Sequence, residues 1–116
     1  MGRCEATVRL EPSSEWFSGH FDDCPVAPGV ALLALVVEVT QRQAQVRGRS
    51  IEICGFSRVR FRRFVFPDEE LHISVAAIPS SAEAELDFAM TCNGRIVTQG
   101  ILKIKEGQKP LSGEGP

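Results

Sequence analysis

The chain has 116 residues, which allow one hydrophobic core but not two of ordinary size. Its hydrophobic fraction of 43% and charged fraction of 24% are those of a globular protein, and a formal net charge of −2 excludes a general nucleic-acid binder. The longest unbroken apolar run covers residues 30–37, which is far too short to span a bilayer, and the N-terminal residues lack a signal-peptide pattern. We therefore expect a cytoplasmic protein without a membrane span.

The four cysteines are spaced widely and irregularly along the chain. No two of them stand close enough in sequence to suggest a zinc knuckle or a redox dithiol. We expect reduced, structural thiols and no bound metal.

The first half of the chain predicts one strand, one long loop and one helix. Alternating apolar and polar residues predict a strand from Ala6 to Leu10, and the aperiodic stretch from Trp16 to Gly29 is typical of a long functional loop. Proline and glycine then precede an apolar run that starts at Val30, and the helix predicted there ends at Gly48. Because this run is apolar on every side, we expect other structure to surround the helix in the middle of the fold.

The second half of the chain predicts strands. They are expected at Ile51 to Phe66, Leu71 to Ile78, Ala84 to Cys92 and Arg95 to Ile104. Asn93-Gly94 between the last two predicts a type I′ turn, since both residues tolerate positive φ. The chain is thus expected to form one α+β domain over residues 1–105, whose sheet curls around the helix, with a flexible tail at 106–116.

Two segments carry a family resemblance. Residues 16–30 read W-F-S-G-H-F-D-D-C-P-V-A-P-G-V, which resembles the active-site motif of the 3-hydroxyacyl-(acyl carrier protein) dehydratases, F-x-G-H-F-P-x-x-P-v-x-P-G-V. Residues 60–67, R-F-R-R-F-V-F-P, are similar to the family's R-F-r-r-p-V-x-P strand. The resemblance extends over about residues 17–104 and implies a hot-dog fold, with an antiparallel sheet wrapped around one long apolar helix.

The resemblance also implies roles for individual residues. Dehydration needs a base for the α-proton, a group that polarises the thioester carbonyl, and an acid for the departing hydroxyl. The base maps to His20, since an imidazole both takes and returns a proton near neutral pH. The polarising group maps to the backbone N–H of Gly29, at the start of the helix. The remaining positions implied to contact substrate are Phe21, Pro28, Val30, Leu33, Ala34 and Phe61.

The family's acid is absent from this sequence. A Glu or Asp is expected fourteen positions after the histidine, and Ala34 stands there. Glu38 lies one helical turn later on the same face, so it either replaces the acid or serves as a hydrogen-bonded or interface carboxylate. Asp22 and Asp23 are further departures from the motif, and they are either solvated or, for Asp22, placed to orient His20 or activate water.

Four arginines form a basic cluster in an otherwise slightly acidic chain. They either steer an acidic acyl carrier protein and its phosphopantetheine arm, or keep a charged strand face soluble. The cluster comprises Arg58, Arg60, Arg62 and Arg63.

Three functions remain open. The leading one is a dehydratase or hydratase (a lyase) acting on acyl carrier protein or coenzyme A thioesters in fatty-acid biosynthesis or related lipid metabolism, without a cofactor beyond the substrate's own phosphopantetheine. The second is an acyl-thioester hydrolase that uses Glu38, Asp22 or Asp23 to direct water. The third is a non-catalytic acyl-thioester-binding subunit of a heteromeric complex, which Ala34 favours. The resemblance also implies at least a homodimer, with the substrate tunnel along its interface.

Overall fold

The architecture is one helix packed on one antiparallel sheet. A computed structural model describes residues 2–10, 27 and 29–107 of the chain. The sheet has five strands in the order β1-β3-β4-β5-β2, and every pair of neighbours is antiparallel. This is the predicted α+β arrangement. The elements in chain order are β1 (Arg3–Arg9), α1 (Gly29–Val46), β2 (Ile51–Phe61), β3 (Glu70–Ala76), β4 (Glu83–Cys92) and β5 (Arg95–Glu106).

The core lies between the helix and the inner face of the sheet. Alternate residues of each strand point to this face, as the two-residue repeat of a strand requires. Paired positions such as Leu86 and Leu102 therefore bury both side chains, whereas their neighbours Asp87 and Lys103 face outward. Apolar side chains removed from water in this way are the main source of stability for the fold.

The helix is buried on one side only. The sheet covers the residues that include Leu32, Val36 and Val39. The opposite side carries an exposed stripe at a spacing of four residues, formed by Val30, Ala34, Glu38 and Arg42. The expectation that other structure surrounds the helix on all sides is therefore wrong for the single chain, because a five-stranded sheet reaches around only part of the helix surface.

The end of the helix and the last hairpin follow the sequence signals. Gly48 has φ of 68° and donates its N–H to the carbonyl of Gln45 at 3.0 Å, while the N–H of Arg49 reaches the carbonyl of Ala44 at 2.8 Å. This pair of bonds is a Schellman motif, which favours glycine at the left-handed position. Asn93 and Gly94 have φ of 54° and 78°, so the predicted type I′ turn is confirmed.

Two strands end earlier than predicted. β2 stops at Phe61 instead of Phe66: the N–H of Arg62 still donates to Val97 of β5, and the chain then turns toward Ala27, whose N–H donates to the carbonyl of Val65. β3 stops at Ala76, since the N–H of Ile78 donates to the side chain of Gln43 instead of to a strand. β5 instead continues through Glu106, one residue beyond the expected end of the domain, while residues 108–116 lie outside the described part.

The described residues contain neither a membrane-spanning helix nor a group of metal ligands. None of the helices found there combines the length and apolarity that crossing a bilayer demands. Within residues 2–10 and 29–107, no three His, Cys, Asp or Glu side chains are grouped as metal ligands would be. Cys4, Cys54 and Cys92 are free thiols.

Candidate functional site

At the start of α1, the backbone of Gly29 lies against the aromatic ring of Phe61. Gly29 is the first helical residue, so its N–H has no hydrogen-bond partner within the helix. This N–H lies at the N-terminus of the helix, which is the positive end of the helix dipole. The ring of Phe61 lies so close that a Cβ at Gly29 would stand 2.8 Å from its Cζ atom. Only glycine fits here without displacing the ring, and the resulting contact is half exposed, since Phe61 retains 50% of its accessible surface.

Phe61 reaches Gly29 because β2 is irregular. Ile53 pairs with Ile104 on the inner face, and two register shifts follow, one between Ile53 and Gly55 and the other between Ser57 and Arg60. Each β-bulge adds one residue and so reverses the face to which later side chains point. The second bulge contains Arg58, whose φ of 54° is unusual for a residue with a side chain. After both bulges, Phe61 pairs with the buried Thr98 and faces the helix.

The segment after β2 bonds to Leu10 and Ala27, the described residues on either side of positions 11–26. The N–H of Ala27 donates to the carbonyl of Val65 at 2.8 Å, and both residues are buried. The carbonyl of Leu10, which precedes position 11, accepts the N–H of Asp68 at 2.7 Å. These backbone bonds carry no side-chain signature, and sequence reasoning missed them. They attach Leu10 and Ala27 to the segment that follows Phe61.

Several predicted site residues lie outside the described part of the chain. The structure therefore gives no position for the candidate base or for the loop carboxylates. These residues are His20, Phe21, Asp22, Asp23 and Pro28.

The predicted substrate positions on the helix face outward or sit at its margin. Val30 is 65% exposed, Ala34 is exposed and Leu33 is partly buried against the core. Glu38 continues the exposed stripe, with a carboxylate oxygen 3.8 Å from the guanidinium of Arg42. Ala34 and Glu38 therefore share one face, as the helical spacing predicts, and both side chains point away from the core of this chain.

The four arginines of the basic cluster do not share one site. Arg58 and Arg60 border a groove of about 510 Å³ on the outer face of the sheet, together with Gln99. Arg63 borders a different cavity of about 430 Å³ at the β4–β5 hairpin. Arg62 is exposed, and its backbone N–H donates to the carbonyl of Val97 at 2.7 Å.

The cavity beside Arg63 contains a carboxylate and thiol pair that the sequence did not suggest. Glu69 accepts the N–H of Phe66 at 2.8 Å through one carboxylate oxygen, and the Sγ of Cys92 lies 3.7 Å from the other. Burial raises the pKa of the Cys92 thiol, and the negative charge of Glu69 raises it further. This thiol is therefore held in its neutral form and is a poor nucleophile.

The sequence of this chain matches a family of known proteins. The family model described as ApeI-like, ApeI dehydratase, matches residues 1–101. A 3-hydroxyacyl-[acyl-carrier-protein] dehydratase FabZ from Geobacillus thermodenitrificans is 27% identical over 115 residues, covering 95% of this chain and 79% of that protein. The FabZ of Oleidesulfovibrio alaskensis is 33% identical over 79 residues, which are 62% of this chain and only 51% of the relative's length.

Solved structures share the fold at low sequence identity. The dehydratase heterocomplex ApeI:P from Xenorhabdus doucetiae contains a chain that superposes with a TM-score of 0.69 at 23% identity, over 90% of this chain and 88% of that one. A hypothetical thioesterase from Streptococcus pneumoniae, solved with coenzyme A, gives a TM-score of 0.73 at 17% identity, over 95% and 86%. These likenesses confirm the predicted hot-dog fold. Because the family model covers most of the sequence, the chain belongs to the ApeI-like dehydratase family, and the prediction of a 3-hydroxyacyl dehydratase-like protein is confirmed.

Proposed function

We propose that this chain interconverts 3-hydroxyacyl and enoyl thioesters, with the acyl group carried on the phosphopantetheine of an acyl carrier protein or on coenzyme A. The supporting observation is the backbone of Gly29, whose N–H has no partner within the helix and whose Cα side lies against the ring of Phe61. We place the reaction in cytoplasmic fatty-acid or related acyl-chain metabolism. The match to a dehydratase family supports the type of reaction.

The proposed reaction uses His20 and Gly29 together. His20 takes the proton from the α-carbon, and the negative charge that develops on the thioester oxygen is stabilised by the N–H of Gly29 and the positive end of the helix. The bond between C3 and its hydroxyl then breaks, a double bond forms between C2 and C3, and the hydroxyl leaves as water after accepting a proton. With alanine at position 34, His20 itself returns the proton that it took.

Glu38 is the alternative source of that proton. Its side chain keeps 56% of its accessible surface and faces Arg42, an arrangement that suits a solvated carboxylate. It also lies about 13 Å along the helix axis from Gly29. We therefore assign Glu38 to the exposed stripe and expect Glu38→Gln to keep most of the activity.

An enoyl-thioester hydration assay tests the proposal directly. The loss of enoyl absorbance would be followed for the parent, for His20→Ala and for Ala34→Glu, with Ala34→Gln as the matched control that adds the same bulk without an acid. We expect His20→Ala to lose activity by about 10²-fold or more, and Ala34→Glu to gain about 10²-fold over Ala34→Gln. Full activity in His20→Ala would refute the proposed chemistry.

The third hypothesis, a binding subunit without activity of its own, is favoured by one specific observation. Ala34 is exposed, so nothing in the core of this chain requires a small residue there. An inactive parent that still binds an acyl thioester, and that gains activity only when mixed with an active homologue, would establish this function. Release of free thiol without any change in enoyl absorbance would instead establish the hydrolase.

We further propose that the exposed apolar surface near Gly29 is covered by a second copy of the chain. Val30 beside Gly29 is 65% exposed, Phe61 against Gly29 is 50% exposed, and Phe64 and Phe66 in the segment after Phe61 are 73% and 42% exposed. Light scattering of the purified protein should show a dimer, and Phe64→Glu should shift it toward monomer. Val46→Glu is the matched control, because Val46 is 87% exposed at the far end of the helix.

Carrier-protein docking by the arginines is the last part of the proposal. Arg58 and Arg60 share one groove, so they are the pair expected to meet an acidic partner together. Binding to acyl carrier protein should weaken with added salt and with Arg60→Ala. Docking through this pair is wrong if binding is independent of salt and survives both Arg58→Ala and Arg60→Ala.

A further inference from the structure

A separate cavity lies at the other end of the helix from Gly29. It has a volume of about 450 Å³ and lies between the last turns of α1 and the first half of β1, which is an edge strand. This volume is within the range of roughly 300–1,000 Å³ that small-molecule sites occupy. Gln43, which lines the cavity, is fourteen residues after Gly29 and therefore about 21 Å away along the helix axis.

Gln43 presents an unused hydrogen-bond donor beside this cavity. The residue is only 8% exposed, and its Oε1 accepts the N–H of Ile78 at 2.9 Å, which fixes the orientation of the amide. The Nε2 atom is buried and has no partner among the described residues. A buried donor without an acceptor is unfavourable, because it has lost its hydrogen bond to water without replacing it. An oxygen acceptor that entered from the cavity would restore this hydrogen bond once the side chains that cover Nε2 moved aside.

The charges around the cavity favour an anionic acceptor. Two guanidiniums of the helix stand at its rim, those of Arg42 and Arg47, and both residues are largely exposed. Among the described residues, Arg42 has as ion-pair partner only the distant carboxylate of Glu38 at 3.8 Å, and Arg47 donates one N–H to the carbonyl of Ile78 at 3.2 Å. Both therefore keep free donors, and as exposed long side chains they can move aside to admit a ligand.

The two other charged residues at the cavity are already paired. Glu5 contacts the ring of His72 at 2.8 Å, and Arg3 contacts Asp87 at 2.5 Å, in both cases on the outer face of the sheet. The charges that remain at the rim are therefore the positive ones of Arg42 and Arg47. The walls include the apolar side chains of Ala6, Val39 and Val46.

We propose that this cavity binds a short-chain aliphatic monocarboxylate. Its carboxylate accepts a hydrogen bond from Nε2 of Gln43 and pairs with Arg42 or Arg47, while its alkyl chain lies against the apolar wall. This site is distinct from the one at Gly29, and the proposal holds whether or not the chain acts on thioesters.

The test is a titration of the ¹⁵N-labelled full chain with hexanoate, followed by NMR of the side-chain amides. The Gln43 signal is assigned by its loss in Gln43→Glu, a variant that keeps an acceptor for Ile78 and replaces the donor with an oxygen. We expect a saturable shift of the Gln43 amide, with binding roughly tenfold weaker in Gln43→Glu when other signals of the cavity are followed. Arg42→Gln should also weaken binding, whereas Arg95→Gln, the same change at an exposed arginine outside this cavity, should not.

Hexan-1-ol separates recognition of the carboxylate from simple filling of an apolar cavity. We expect the alcohol to bind at least severalfold more weakly than hexanoate. The proposal is overturned if the alcohol binds equally well, if the Gln43 amide does not move up to about 10 mM hexanoate, well above the roughly millimolar affinity expected of a weak ligand, or if Arg95→Gln weakens binding as much as Arg42→Gln. Because Arg42 is exposed, its variant remains informative even if Gln43→Glu does not fold.

Discussion

Replacing Gly29 with alanine adds one methyl group where the helix meets the ring of Phe61. The new Cβ would lie 2.8 Å from Cζ and 3.1 and 3.3 Å from the two Cε atoms of that ring. Carbon atoms in favourable contact are about 3.5–4.0 Å apart, so the tip of the ring has to retreat by roughly 1 Å. Phe61 is half exposed and sits at the end of its strand, which leaves it room to turn outward.

The effect of Gly29→Ala on stability should be small for this reason. Alanine favours a helix over glycine by about 1 kcal/mol at interior positions and by less at the first turn. The displaced ring offsets part of that gain. We expect the free energy of unfolding, measured by urea denaturation, to change by less than about 1 kcal/mol.

The effect on activity should be much larger. A displacement of about 1 Å at a reacting group can cost about 10²-fold in rate, and the methyl group also stands between substrate and the Gly29 amide. In the Phe61→Ala background the steric conflict disappears, so the two substitutions should be coupled in unfolding free energy by about 0.5 kcal/mol or more. A Gly29→Ala variant that is fully active in the hydration assay would refute the proposed contact between the substrate and the N–H of Gly29.

Further predictions concern Cys92 and Gly100 of the sheet. Because burial and Glu69 raise the pKa of the Cys92 thiol, alkylation of Cys92 at pH 8 should be much slower than that of the exposed Cys54, and Glu69→Gln should accelerate it. The folded state holds this proton more tightly than the unfolded chain, so stability should fall as pH rises through the thiol's ordinary range, and the slope should be smaller in Glu69→Gln. Gly100→Ala places a Cβ 3.0 Å from the backbone Cα of Val59, which cannot swing away, and should lower the free energy of unfolding by about 1–3 kcal/mol in urea denaturation.

Local signals in the sequence predicted local structure well. The glycine that ends the helix at position 48 and the Asn93-Gly94 turn each require positive φ, which few residues adopt, so their identities carry the information. The bulges of β2 carry no such signal. Arg58 adopts φ of 54° although arginine is not a typical residue for that region, so the sequence from Ile51 to Phe66 predicts one continuous strand where the structure has two bulges.

The candidate site was predictable only in part, for a different physical reason. The pairing of Phe61 with Gly29 depends on two register shifts, and the backbone bond from Ala27 to Val65 has no side-chain signature. An apolar helix can be covered by its own chain or by another chain, and its periodicity does not distinguish the two. The expectation of complete enclosure therefore failed at Val30, which this chain leaves exposed.

The exposure of Ala34 bears on how the missing acid is to be understood. In a packed core, alanine would be explained by lack of space, but Ala34 lies on the exposed stripe, where this chain would accommodate a longer side chain. A carboxylate introduced there would point away from its own core, toward whatever covers the stripe, because side chains four residues apart share one face. An acid at this position would therefore serve a site completed by a second chain. It follows that the gain expected from Ala34→Glu should depend on protein concentration in the same way as dimer formation, and should disappear in the Phe64→Glu background if that variant is monomeric.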